Sequence, residues 1–218
     1  PVPLTLNPSP TSGEDDVVKG FALSVGVCPQ YTALDPYAMG WAAIDEAFRN
    51  LVAVGADPDQ VSLLDNFSWG NPNLPDRLGS LVLATKACHD AALAYNAPFI
   101  SGKDSLNNEY TDADGEKHAI PGTLVISALG VVPDVIKTVT MDFKQAGNRV
   151  YIVGGPNQHK MGGSHFNMVH GYMRGDVPQP NKKALTILRR IHRAIDAGLV
   201  QACHDVSEGG MLTTLAEM

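Results

Sequence analysis

Two polar, glycine-punctuated stretches carry the residue types best suited to chemistry: DNFSWGNP over 65–72 and SGKDSLNNEY over 101–110, each following a short apolar run. Each sets carboxylates, amides and backbone N–H groups where a strand should end, the place where mixed α/β domains hold a phosphate and its metal. In the second stretch Gly102 lets the backbone approach a phosphate, Lys103 offers positive charge, Asp104 is a magnesium ligand by type, and Ser105 can donate to an anionic substrate. In the first, Asp65 either receives Mg²⁺ or a nucleotide hydroxyl, or orders a turn through its side chain. An Asx-type turn accounts equally for SGKDS, so residue type alone leaves both readings open. A P-loop is excluded, because Ala97 fills its first glycine position and Asp104 follows Lys103. An SGGxDS pyrophosphatase loop, which would release AMP and pyrophosphate, has one glycine more than this stretch.

Other polar clusters point less clearly to chemistry. HDVSEGG, 204–210, crowds His204, Asp205, Ser207 and Glu208 before a glycine pair that opens a helix, yet a hydrogen-bonded structural role is the commoner one for such a histidine. His165 and His170 miss the i,i+4 spacing of a helical metal pair and read as structural or surface residues. Glu14-Asp15-Asp16 reads as an acidic turn. Lys182, Lys183, Arg189, Arg190 and Arg193 fall within one amphipathic helix and read as its solvated face.

The elements that must position these motifs follow from periodicity. Residues 17–27 alternate as a strand. Asp35-Pro36 then supplies an N-cap and a first-turn proline for a helix running to about Val54, with Trp41, Ile44, Phe48, Leu51 and Val52 as its core stripe. Val61 to Leu64 make a short buried strand leading into Asp65. A helix over 76–95 carries Leu78, Leu81, Val82, Leu93 and several alanines, and the strand 97–100 runs into SGKDS. Residues 124–132 read as a strand. A second unit begins near Gly147, with a strand over 150–153, GGSH at 162–165 and a helix over 182–198.

The 218 residues, 44% apolar and 18% charged, are an ordinary globular balance, with a Pro/Ser-rich start, PVPLTLNPSPTSG, that reads as linker. A net charge of −7 argues against nucleic acid as a partner but leaves free nucleotides open. Three scattered cysteines, Cys28, Cys88 and Cys203, support neither a disulfide framework nor a zinc site, and a reducing cytoplasm fits them best. Nothing approaches the ~18 apolar residues of a membrane span, and no signal peptide is legible. The chain opens at Pro1 and stops inside the helical pattern MLTTLAEM, so the expectation is a fragment of a longer polypeptide.

Taken in order, YTALDPY, RNLVAVGADP, DNFSWGNP, SGKDSLNNEY, MGGSHF and HDVSEGGMLTTLAEM resemble phosphoribosylformylglycinamidine synthase over essentially the whole chain, and specifically the second of its two homologous halves. The resemblance implies an α+β fold, with an aminoimidazole ribonucleotide synthetase-like N-terminal mixed-sheet domain over 17–136, a partial C-terminal-like domain over 147–218, and 1–16 as linker. It implies a ligase that uses ATP and magnesium to activate formylglycinamide ribonucleotide for attack by ammonia. Its partners would be the first half of the synthetase, a glutaminase subunit supplying ammonia from glutamine, and a small bridging subunit. Asp65 matches an ATP-contacting aspartate, Gly102 an ATP-contacting glycine, and Ser105 a substrate-contacting serine. Lys103 stands where small-subunit members have a magnesium-binding asparagine. An ammonium cannot ligate a cation; the large single-chain members have GKDS in this place, and that likeness implies Lys103 at the ATP phosphates and Asp104 at the metal. The family's catalytic histidine belongs to the other half, so no catalytic residue is assigned here and the isolated chain is expected to be inactive. Two alternatives remain. One is a non-catalytic nucleotide-binding and docking half of the same assembly; the other is a relative such as selenophosphate synthetase or thiamine monophosphate kinase.

Overall fold

The computed structural model describes residues 17–155 and 160–218; the expected linker over 1–16 lies outside the described residues. The elements are β1 (Gly20–Val27), α1 (Pro36–Ala53), β2 (Val61–Ser68), α2 (Pro75–Tyr95), β3 (Phe99–Ser105), β4 (Glu109–Thr111), β5 (Lys117–Ala119), β6 (Thr123–Val132), α3 (His165–Val169), α4 (Ala184–Asp196) and α5 (Gly210–Glu217).

A mixed four-stranded sheet of order β1-β6-β2-β3 organises the first unit; β6 runs antiparallel to β1 and β2, and β2 runs parallel to β3. Parallel pairing needs a crossover, and α2 is that crossover. Helix α1 begins as its sequence requires: the Asp35 carboxylate accepts the Ala38 N–H at 2.9 Å and Pro36 sits in the first turn. Trp41, Ile44, Phe48, Leu51 and Val52 are all buried, packed with Leu63, Phe67, Leu124, Ile126 and Ala128 from the sheet. Close approach is made possible by small residues. A side chain at Gly26 of β1 would meet Ala47 N of α1 at 2.8 Å, and one at Gly40 would meet Ala84 O and Ala87 Cβ of α2 at 3.0 Å. Helix α2 accordingly buries Ala84, Ala87, Cys88, Ala91 and Tyr95, while Leu78, Val82 and Leu93 remain exposed.

Among the described residues, helices cover one face of the sheet. Leu124, Ile126, Ala128 and Val132 point inward on β6, whereas Phe21, Leu23 and Val25 line an exposed face of β1.

Two expectations change. The polar motifs are not loops after strands: residues 65–68 lie inside β2 and 101–105 inside β3, because pairing with β6 and with one another carries the ladder through them. Residues 150–153 form no strand; Val150, Tyr151, Ile152 and Val153 are 56%, 72%, 61% and 60% exposed and have no ladder partner among the described residues. A strand without a partner leaves its backbone groups unpaired, so alternation and β-propensity alone do not make one.

The second unit meets the first through apolar packing, with Ala184, Leu185 and Leu188 of α4 in the same core as α1, and through charge. Arg189 of α4 makes a forked contact to Asp59 at 2.6–3.0 Å. Arg49 of α1 bridges Asp45 (2.8 Å), the buried Asp205 (3.0 Å) and the Val206 carbonyl (2.7 Å).

Candidate functional site

A one-residue irregularity decides what β2 and β3 present. Leu63 pairs with Phe99 but Leu64 pairs with Ser101, so Ile100 is an extra residue that shifts the register. From there Asp65 pairs with Gly102, Asn66 with Lys103, Phe67 with Asp104 and Ser68 with Ser105. Side chains alternate along a strand, and Val61, Leu63 and Phe67 are buried toward the helices. Asp65 therefore shares the helix-facing side with Gly102 and Asp104. Asn66, Ser68, Lys103 and Ser105 share the opposite side.

The helix-facing side holds an open cleft of about 410 Å³ lined by Asp65, Phe67, Gly102, Lys103, Asp104 and Leu106, with Leu81 and Thr85 of α2 as its wall. Gly102 is dictated by the carboxylate above it: a side chain there would run into Asp65, whose Cγ would be 2.6 Å from the new Cβ. Burial pushes the Asp65 carboxyl above its ordinary range, the neighbouring Asp104 charge adds to the shift, and a hydrogen bond from the Lys103 backbone N–H opposes it. Two carboxylates held together against a helix, one of them costly to ionise, suit a divalent cation with hard oxygen ligands such as Mg²⁺. The Lys103 ammonium lies against the Ser105 hydroxyl.

Thus the structure brings Asp65, Gly102, Lys103 and Asp104 to one cleft and leaves Ser105 outside its lining, on the other face of the same strand. Leu81 was legible as an apolar residue of this helix and Thr85, four residues on, was not singled out; nothing in their types marks a cleft wall. Asn66 adds another feature: its Oδ1 is shielded from solvent and has no hydrogen-bond partner among the described residues, a deficit of ~1–3 kcal/mol that a ligand donor would offset.

The ends of both strands are pinned. Trp69 is buried and donates from Nε1 to Ser80 Oγ at 3.0 Å, its backbone N–H reaches Ser105 O at 2.9 Å, and Asn108 N–H returns to Trp69 O at 2.9 Å. Glu109 accepts from Asn71 N–H at 2.9 Å and from Arg77. HDVSEGG, by contrast, is engaged in structural contacts. His204 lies between Asp205 (3.3 Å) and Glu217 (3.0 Å), and Asp205 and Ser207 are taken up by Arg49. Burial pushes the Cys88 thiol up to about 12 and also raises Cys28 and Cys203, which leaves these free thiols poor nucleophiles.

Residues 13–132 match the N-terminal domain of AIR synthase related protein and residues 145–218 its C-terminal domain. The chain belongs to the AIR synthase related protein family. Within it, the chain is 39% identical over 226 aligned positions to phosphoribosylformylglycinamidine synthase subunit PurL of Erythrobacter litoralis, covering 95% of this chain and 30% of that protein. Identity to the Gloeobacter violaceus PurL is 33% over 216 positions, covering 99% and 28%. The chain thus spans under a third of the length of these relatives. Thermotoga maritima PurL complexed with FGAR has the same fold, with a TM-score of 0.68 at 15% identity over 93% of this chain and 32% of that one. Aquifex aeolicus thiamine monophosphate kinase gives a TM-score of 0.50 at 14% identity, covering 84% and 58%; at that identity the likeness is one of fold.

Proposed function

We propose that this chain contributes a nucleotide-binding wall to an ATP-dependent ligase that converts formylglycinamide ribonucleotide and ammonia to formylglycinamidine ribonucleotide. What carries the reading is the convergence of Asp65 and Asp104 over Gly102 in one cleft, in a family member whose relatives are phosphoribosylformylglycinamidine synthase subunits.

In this reading Asp65, Gly102 and Lys103 contact ATP. Gly102 admits the phosphates to the backbone, and Lys103 spans both faces, its main chain lining the cleft and its ammonium reaching Ser105. Magnesium held at Asp104, with Asp65 beside it, would neutralise phosphate charge. Ser105, on the open face, contacts the substrate. Transfer of the γ-phosphoryl group to the formamide oxygen gives an iminophosphate, and ammonia then displaces inorganic phosphate. The protein's part is positioning and charge stabilisation, with no covalent nucleophile required.

The units at 17–136 and 147–218 would act with the companion half of the synthetase, a glutaminase subunit and a small bridging subunit in the cytoplasm. Among the described residues no helix is long and apolar enough to cross a membrane. A second reading, a nucleotide-binding half whose main task is docking, is favoured by the exposed Phe21, Leu23 and Val25 on the uncovered sheet face.

Calorimetry separates the two. With MgATP, Asp65→Ala should lose binding by tenfold or more and Ser105→Ala should retain it; with formylglycinamide ribonucleotide the order should reverse. Equal binding by wild type and both variants would favour docking alone.

A further inference from the structure

Away from the cleft, the β4–β5 hairpin gathers three possible metal ligands. Asp112, Glu116 and His118 place a ligand atom each within 4.8 Å of one another. Their positions follow from the hairpin. Tyr110 and His118 are direct cross-strand partners, and their rings stack with centroids 5.1 Å apart and planes 23° from parallel, which fixes the imidazole. Asp112 closes the turn. Its Oδ1 accepts the N–H groups of Asp114 (3.0 Å) and Glu116 (2.9 Å), while Gly115, at φ +82°, takes the left-handed position. The other oxygen, Oδ2, is thereby left to face His118 Nε2 at 2.6 Å.

Glu116 is the informative member. Its carboxylate has no ion-pair partner among the described residues, yet it converges on a second carboxylate and an imidazole, an arrangement that a cation relieves. Purely acidic clusters favour hard ions; a nitrogen donor shifts preference to borderline divalent transition ions, whose affinities rise toward copper and zinc.

We propose that Asp112, Glu116 and His118 form a three-ligand site for a divalent transition ion of the zinc class, open to solvent on its remaining coordination positions. The ion takes the place of the hydrogen bond between Asp112 Oδ2 and His118 Nε2 and cross-links β4, the turn and β5. Since Glu109 and Asn108 tie this hairpin to the ends of β2 and β3, the ion would stiffen the strand ends that carry the cleft.

The test uses the whole chain at neutral pH, titrated with Zn²⁺ and with Co²⁺, and followed by calorimetry and by the His118 ring resonances. One equivalent of Zn²⁺ should shift the His118 ring. Glu116→Gln, which leaves the Asp112–His118 contact and the stacked pair in place, should weaken Zn²⁺ binding about tenfold or more, as should His118→Gln. Asp65→Asn should leave Zn²⁺ binding here unchanged. The proposal is overturned if the His118 resonances stay put at one equivalent, or if both hairpin variants bind Zn²⁺ as tightly as wild type.

Discussion

On the helix side of the β2–β3 pair, Asp65 and Asp104 stand over Gly102 against Leu81 and Thr85; on the other side, their immediate chain neighbours Asn66, Lys103 and Ser105 meet a face that carries the exposed Phe21, Leu23 and Val25. Adjacent residues in sequence thus serve different environments. The first side concentrates negative charge in a walled cleft and invites a cation with its anionic ligand. The second pairs a cation with a hydroxyl and an unpartnered amide oxygen beside apolar surface, a setting for a larger partner or an organic substrate.

The strongest way to break this division is to fill the cradle. Gly102→Ala pushes a methyl group into the Asp65 carboxylate and turns it out of place; it should remove MgATP binding with little change in stability, read by calorimetry and chemical denaturation. Asp104→Asn comes next. It should weaken MgATP by roughly tenfold to a hundredfold while leaving the free protein as stable as wild type or slightly more so, because it relieves the repulsion on Asp65. A thermal scan with and without MgATP reads both effects.

A pH series sharpens the comparison further. Asp65 has a raised pKa, so its proton is retained to higher pH than an ordinary aspartate would retain it, and a protonated carboxyl does not bind a cation. Affinity for MgATP should therefore fall as pH is lowered through that raised value, and Asp65→Asn should flatten the profile. Stability moves the opposite way: ionised Asp65 disfavours the folded state, so its unfavourable contribution fades as pH falls through the folded-state pKa. Smallest of all, Ser105→Ala should change MgATP affinity by less than about twofold, since its hydroxyl lies on the other face.

Much of the first unit was legible. Asp35-Pro36 announced α1, its five-residue stripe is buried as the spacing required, and the runs before Asp65 and Ser101 are strands. The motifs themselves were legible as chemistry but not as geometry. Their division between two faces depends on the extra residue Ile100, and such a register shift is set by the partner strand rather than by local composition. For the same reason 150–153 looked like a strand on its own composition, though a strand exists only with a neighbour. Helix α2 illustrates another limit: Leu78, Val82 and Leu93 are exposed, whereas the alanines read beside them make the contact with Gly40, because backbone proximity selects small residues.

The central claim is that a divalent ion and a nucleotide meet on the helix side of β2 and β3. Substituting paramagnetic Mn²⁺ for Mg²⁺ in the presence of ATP and mapping the broadened backbone amide resonances tests it most directly. Broadening should centre on Asp65 and 102–104 and extend to Leu81 and Thr85 of α2. Broadening centred instead on Phe21, Leu23 and Val25, or absent from Asp65 and Asp104 at saturating nucleotide, would contradict the account.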